Sequence, residues 1–327
     1  MPARAATPFD MRRVSALLES ALRTREGIVA SALPVPLAGG AIGGWRGLIS
    51  GLFGLGGRLR VYLEEYRGQL RSTALVYDGQ RPEWVVLVLA ALPEPGGTDS
   101  AFRLLSGISA SAARHGMQRL FAAVPDEARP RETFFQAGFY SYTRETWYAA
   151  ARAALPAPSR MRARDATSVD AHDLFRFYAM TTPHAVQRAE QLSVQDFDLG
   201  RRGGAYDPPH LIGGNPLAMR LRMALIDHDQ SKPCAVALAF AGMERHPNVL
   251  KVRTDAGDVD IARDLVRAAA RTVPPGRPIT SPVRSYEEHV ARALLSEGFR
   301  EAATAMLFVK ELAVRVEEPA LAPAVVR

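Results

Sequence analysis

The stretch FFQAGFYSYTRETWY, Phe134–Tyr148, decides how the fold is read. It closes an apolar helical pattern at Gly138 and passes at once into an aromatic strand. A similar phrase, ALLSEGFREAATAMLFVKEL, returns at Ala293–Leu312. Glycine just past a helix takes the left-handed conformation at little cost, so Gly138 and Gly298 read as one helix-to-strand joint in two copies.

Working outward, the same order of elements precedes both joints. In the first half, RVYLEEYRGQLRSTALVYDGQ reads as two strands turned at Arg67-Gly68, and EWVVLVLAALP as a strand buried on both faces. A helix follows, capped by Thr98 or Asp99, with Phe102, Leu105, Ile108 and Ala112 on its inner face and Gly116 at its end. QRLFAAVP is the next strand, and Pro130 suits the first turn of the helix that stops at Gly138. In the second half, MRARD is a strand, and Ser168–Tyr178 a helix with Leu174, Phe175 and Tyr178 inward. RLRMALIDHDQSKPCAVALAF is a hairpin and VLKVRT a strand, followed by a helix facing inward through Ile261, Leu265, Ala268 and Ala269. PITSPV is a short strand, and Ser285 with Glu288 forms a capping box for the last helix.

The chain of 327 residues is long enough for two cores. ARAALPAPSR, Ala151–Arg160, reads as a linker, which gives a first domain over 1–150, a second over 161–315 and a tail over 316–327. The formal net charge of +7 is spread as single Arg residues among Glu and Asp, the pattern of a solvated surface rather than a nucleic-acid stripe. The single Cys234 excludes an intrachain disulfide and a multi-cysteine metal site, and in CAVALAF it reads as an inert thiol. His172, His184, His210, His228, His246 and His289 show no metal-ligand spacing, so no metal is expected. No apolar signal core follows Met1, and the expected compartment is the cytoplasm. IVASALPVPLAGGAIGGW, Ile28–Trp45, carries no charge, but its two Pro and four Gly break helices. It reads as a buried helix-loop-helix rather than a span, and a membrane contact through residues 28–57 is the lesser alternative. Tyr206 and His210, on the long loop Gly200–Pro216, are cleft-lining candidates only by being on a loop.

The order hairpin, buried strand, helix, strand, helix, Gly-Phe, strand resembles the GNAT superfamily of acyl-CoA-dependent N-acyltransferases. The stretch Arg114–Tyr148 carries the resemblance most specifically, and Ser285–Leu312 repeats it more loosely. The resemblance implies an α/β (α+β) fold class: two tandem GNAT-like domains, each a mixed central sheet flanked by helices. It also implies acetyl-CoA or another acyl-CoA as co-substrate, a small-molecule or peptide amine as acceptor, and direct attack of the amine on the thioester. The family holds the pyrophosphate at a loop ahead of a helix, where bare amides and the helix dipole favour an anion. In LPEPGGTDSAF this implies Gly96, Gly97 and Thr98 as the cofactor-binding residues, with Ala91 beside the thioester arm, although the family's Arg is missing. In RTDAGDVDIA, Gly257 lies among Asp255, Asp258 and Asp260, which repel a pyrophosphate, so any acyl-CoA is expected in the first half. Many members place a proton-donating Tyr one helical turn before the Gly, where this chain has Phe134 and Leu294. Glu83 is then the nearest base and Tyr140 or Tyr142 the nearest acid, against the plainer reading of a strand-end carboxylate and packed aromatics. The catalytic residues stay unassigned. Two functions follow: an N-acyltransferase, weak or degenerate, or a non-catalytic scaffold or small-molecule sensor on the same fold.

Overall fold

A computed structural model describes residues 3–24, 27–31, 59–79, 81–92, 97–151, 163–199, 219–229, 232–242, 246–255 and 257–313. The first half runs β1 (Arg4–Ala5), α1 (Met11–Thr24), β2 (Ile28–Ser31), β3 (Leu59–Tyr66), β4 (Gln69–Asp78), β5 (Glu83–Ala91), α2 (Gly97–Arg114), β6 (Arg119–Pro125), α3 (Ala128–Gln136) and β7 (Tyr140–Ala150). The second runs β8 (Arg164–Asp165), α4 (Ala171–Thr181), α5 (His184–Glu190), β9 (Met219–Asp229), β10 (Lys232–Gly242), β11 (Asn248–Thr254), α6 (Val259–Thr272), β12 (Ile279–Arg284), α7 (Glu288–Ser296) and β13 (Arg300–Glu311).

Local chemistry sets the joints. Arg67 and Gly68 have φ of 52° and 76°, the pair of positive angles that a two-residue hairpin turn matched to strand twist requires. Gly138 and Gly298 sit at φ 81° and 83°. In both copies the next amide reaches back over the helix end, from Phe139 to Phe134 O at 3.0 Å and from Phe299 to Leu294 O at 3.1 Å. The two halves also begin alike. Arg4 and Arg164 each bind both carboxylate oxygens of Asp10 and Asp170, and each Asp accepts the amide of Thr7 or Thr167 at 2.8 Å.

The described strands form one sheet in the order β1-β3-β4-β5-β6-β13-β7-β12-β11-β10-β9-β8, with β2 on β5. The last strands of the two halves are exchanged. β13, from the end of the second half, pairs with β6 of the first from Ala305↔Pro125 to Glu311↔Arg119. β7, from the end of the first, pairs with β12 of the second from Ile279↔Ala150 to Arg284↔Glu145. The sequence boundary at 151–160 therefore does not mark where the hydrogen bonding divides; residues 152–160 and the tail from 314 lie outside the described residues.

Several local expectations are corrected. α2 is already helical at Gly97, so Thr98 and Asp99 lie inside its first turn rather than capping it. Its buried stripe is Ala101, Leu104, Leu105, Ile108 and Ala112, while Phe102 is 37% exposed. On α6 Ile261 is likewise exposed, and Ala262 and Val266 take the inner positions. The other expected inward positions are buried, Leu105, Ile108 and Ala112 on α2 and Leu265, Ala268 and Ala269 on α6. On α4, Phe177 is buried beside Leu174 and Tyr178, with Phe175 at the rim. α7 begins behind Glu287, not at a Ser285–Glu288 box, because the Glu287 carboxylate is engaged by the Arg284 amide and by Arg253. The charge-free segment starts as strand β2 rather than a helix, and residues 32–58, including the rest of that segment, lie outside the described residues.

Candidate functional site

In each half two parallel strands pair briefly and then part, leaving a wedge. β5 and β6 pair only from Glu83↔Arg119 to Val86↔Ala122. Beyond that point the wedge is filled by β2, whose Ile28, Ala30 and Ser31 pair with Ala90, Leu89 and Val88 of β5. Ala91 continues the contact by donating its amide to Gly27 O at 2.8 Å. Ile28, Val29 and Ala30 are buried there. A fully buried Val or Ile side chain contributes roughly 1.5–3 kcal/mol, so this insertion is held by its core packing as well as by its ladder. In the second half, β11 and β12 pair only at Asn248↔Ile279 and Val249↔Thr280. Among the described residues no strand fills this second wedge. The hydroxyls of Thr254 and Ser281, on its two strands, are buried without a hydrogen-bond partner.

On the α4 side of the second half lies a pocket holding about 540 Å³ of empty space, part of it open to solvent. α4 supplies Leu174, Phe177 and Tyr178; the turn after α5 supplies Phe197 and Leu199; β10 supplies Val236 and Leu238; β11 supplies Lys251 and Arg253. Alternation explains the last two. Leu250 and Val252 point into the α6 core, which leaves Lys251 and Arg253 on the opposite face of a central strand. Arg253 is fixed by Glu287 at 2.7 Å and Thr182 at 2.9 Å, and lies over the Tyr178 ring. Arg284 pairs with Glu145 at 2.8 Å and Glu190 at 3.4 Å, and Tyr178 donates to Glu190 at 2.7 Å. Burial, with Arg284 and Arg253 nearby, lowers the Lys251 ammonium to a pKa of about 7. Burial likewise pushes the Tyr178 and Tyr142 hydroxyls far up and Tyr286 to about 12, so none of them is an acid near neutrality.

The residues expected from the sequence are dispersed. Ala91 lies under β2, with its amide taken. Gly97 and Thr98 open α2, and Gly96 lies outside the described residues. Glu83 stands at the closed end of the first wedge against Arg81 and Arg119, as a buried ion pair. Tyr140 is exposed on Glu311, and Tyr142 packs edge-on to Phe121 and faces Arg284. Phe134 and Leu294 are fully buried in the two cores. Cys234 is half-buried in β10, and Tyr206 and His210 lie outside the described residues. No cluster of three or more His, Cys, Asp or Glu suited to a metal occurs among the described residues, nor any described helix long and apolar enough to cross a membrane. Sequence reading missed Lys251, Arg253, Arg284, Glu145 and Glu190. The signal present was VLKVRT, where charged residues alternate through a strand that must sit mid-sheet.

No protein-family model matches the sequence, and no curated protein matches it significantly. Solved structures do. A GCN5-related N-acetyltransferase from Sphaerobacter thermophilus is similar over 97% of this chain and 97% of its own, at 13% identity and a TM-score of 0.56. A tandem GNAT protein from the clavulanic acid biosynthesis pathway is similar over 96% of this chain and 99% of its own, at 13% identity and a TM-score of 0.51. The chain has a tandem GNAT fold. At this identity the likeness establishes the fold and not the activity.

Whether a GNAT co-substrate fits is a matter of this chain's own atoms. In the second half the helix end that would meet a pyrophosphate is capped from within: Asp258 Oδ1 accepts the amides of Asp260 at 2.9 Å and Ile261 at 3.0 Å. Asp255 and Asp260 add further negative charge beside it. In the first half the edge of β5 that would meet the acyl arm is covered by β2. Among the described residues one half has an open wedge and a helix end capped by its own Asp258, and the other a filled wedge, the edge of β5 covered by β2.

Proposed function

We propose that the protein is a small-molecule binder on a tandem GNAT fold, with its ligand in the pocket beneath α4, and that acyl transfer in the first half is lost. The observation that carries this reading is the pairing of Ile28–Ser31 along β5, which covers the β5 edge that a thioester arm would use. The pocket supports the ligand side of the reading. Its lining is apolar with a few convergent polar groups, the make-up of a small-molecule site.

A second reading, N-acyl transfer to a small-molecule or peptide amine from acyl-CoA held in the second half, is favoured by the unfilled wedge between β11 and β12. It requires Asp258 to give up two amides and a pyrophosphate to settle beside three carboxylates, and so it ranks behind the first.

The test is a thermal-unfolding survey with small neutral aromatic and aliphatic compounds. Those that bind should raise the midpoint of wild type but not of Leu238→Trp, whose indole fills the pocket. An equal response in both proteins, or none in either, contradicts the assignment.

A further inference from the structure

Lysine is scarce in this chain. Lys and Arg together number 41, and the only lysines are Lys232, Lys251 and Lys310. Lys232 is exposed, and Lys310 donates to Ala137 O at 2.6 Å. Lys251 lines the pocket beneath α4, on a central strand, where only 9% of it is exposed. Arginine is the default cation here and stays charged in any protein environment, whereas lysine gives up its proton when buried. A buried lysine at this place is therefore a chemical choice, and an amine in an apolar pocket beside other cations is a nucleophile.

The surrounding charges narrow the ligand. Arg253 on β11 and Arg284 on β12 face Glu287 ahead of α7, Glu145 on β7 and Glu190 on α5, so two guanidiniums meet three carboxylates. Tyr178 on α4 is neutral and bonded to Glu190. A cation at Lys251 balances this cluster, while an anionic ligand would add a fourth negative charge to a buried site. The ligand that fits is neutral and becomes cationic at the lysine nitrogen on reaction.

We infer that the pocket beneath α4 takes a neutral, apolar aldehyde or ketone and that Lys251 Nζ condenses with its carbonyl carbon to form an iminium; this rests on the pocket being the ligand site. The unprotonated amine attacks the carbonyl carbon, a C–N bond forms, and a proton passes from nitrogen to oxygen to give the carbinolamine. The nitrogen lone pair then expels the hydroxyl, which takes a proton from solvent at the open side and leaves as water. In sum, amine, carbonyl and one proton give iminium and one water. No oxidant or reductant enters. Burial in the pocket, with Arg284 and Arg253 nearby, lowers the Lys251 pKa to about 7, so that part of the amine is unprotonated near neutrality.

Benzaldehyde with sodium cyanoborohydride, applied to the full chain and read by peptide mass mapping, tests this. The benzyl adduct should fall on Lys251 at least about tenfold over Lys232, which is exposed to solvent rather than set in an apolar pocket that holds the aldehyde beside it. Labelling of Lys251 should be half-maximal near pH 7 and suppressed by excess benzyl alcohol, which occupies the pocket without a carbonyl. Lys251→Arg should carry no adduct there, and the pH profile and the protection by alcohol need no variant. Labelling of Lys232 with Lys251 untouched overturns the inference. If benzyl alcohol still raises the wild-type unfolding midpoint and not that of Leu238→Trp, the pocket stands and the iminium falls; if it raises neither, both fall.

Discussion

Ala91 donates its backbone amide to Gly27 O at 2.8 Å, so the end of β5 is bonded to the chain's own next-door segment. The first prediction is that this amide exchanges slowly with solvent. Hydrogen exchange read by mass spectrometry should place Val88–Ala91 among the protected core strands, because β4 covers one edge and β2 the other. Exchange at the rate of an open loop would mean that β2 leaves the wedge.

The exchanged strands predict that the halves cannot be parted. A chain cut within residues 152–160 and expressed as two fragments should co-purify as a one-to-one complex, because β13 is laddered to β6 and β7 to β12. Pull-down through a tag on one fragment checks this. Two fragments that purify separately as folded monomers would show that each half can take back its own last strand.

Much of the fold was legible in the sequence because its signals are local. The hairpin turn at Arg67-Gly68, and the two Gly-Phe joints, follow from residue type and neighbours alone. The strand exchange was not legible. β7 and β13 are strands of similar length that follow the same Gly-Phe joint, and nothing local says which half's edge each will meet. β2 was missed because four apolar residues inside a charge-free stretch carry no period that separates strand from helix. The matched Arg4–Asp10 and Arg164–Asp170 clamps were readable as a repeat and were overlooked. Of the site, the acidic surroundings of Gly257 were read correctly from sequence, whereas Lys251 and its partners meet only through the packing of β7, β11, β12, α4 and α5.

The joint glycines give a stability prediction. A Cβ at Gly298 would meet nothing within 4 Å, and at Gly138 only the end of Lys310 at 3.6 Å, so space is not the obstacle. The left-handed backbone is. Gly138→Val and Gly298→Val should each cost at least about 1–2 kcal/mol, more than Ala at the same site because of β-branching. Chemical denaturation measures it, and an unchanged midpoint would contradict the shared role.

The paired clamps set the acid response. Arg4 holds the Asp10 carboxyl, and Arg164 the Asp170 carboxyl, well below the usual carboxylate range. A carboxyl lowered in the folded state contributes stability that is fully present above its unfolded pKa of about 3.9 and lost as pH falls toward the folded value. The unfolding midpoint should therefore drop below about pH 4. In Asp10→Asn/Asp170→Asn the midpoint should be lower at pH 7 and the acid limb shallower; an unaltered acid limb would assign that loss to other groups.

The most direct measurement is a calorimetric titration of the full chain with acetyl-CoA. With β2 along β5 and the Asp258 carboxylate on the Asp260 and Ile261 amides, the expected result is no saturable heat at concentrations up to about 1 mM, the weak end of useful affinity. A saturable isotherm of one site per chain would contradict the account and return the protein to the acyl-transfer reading.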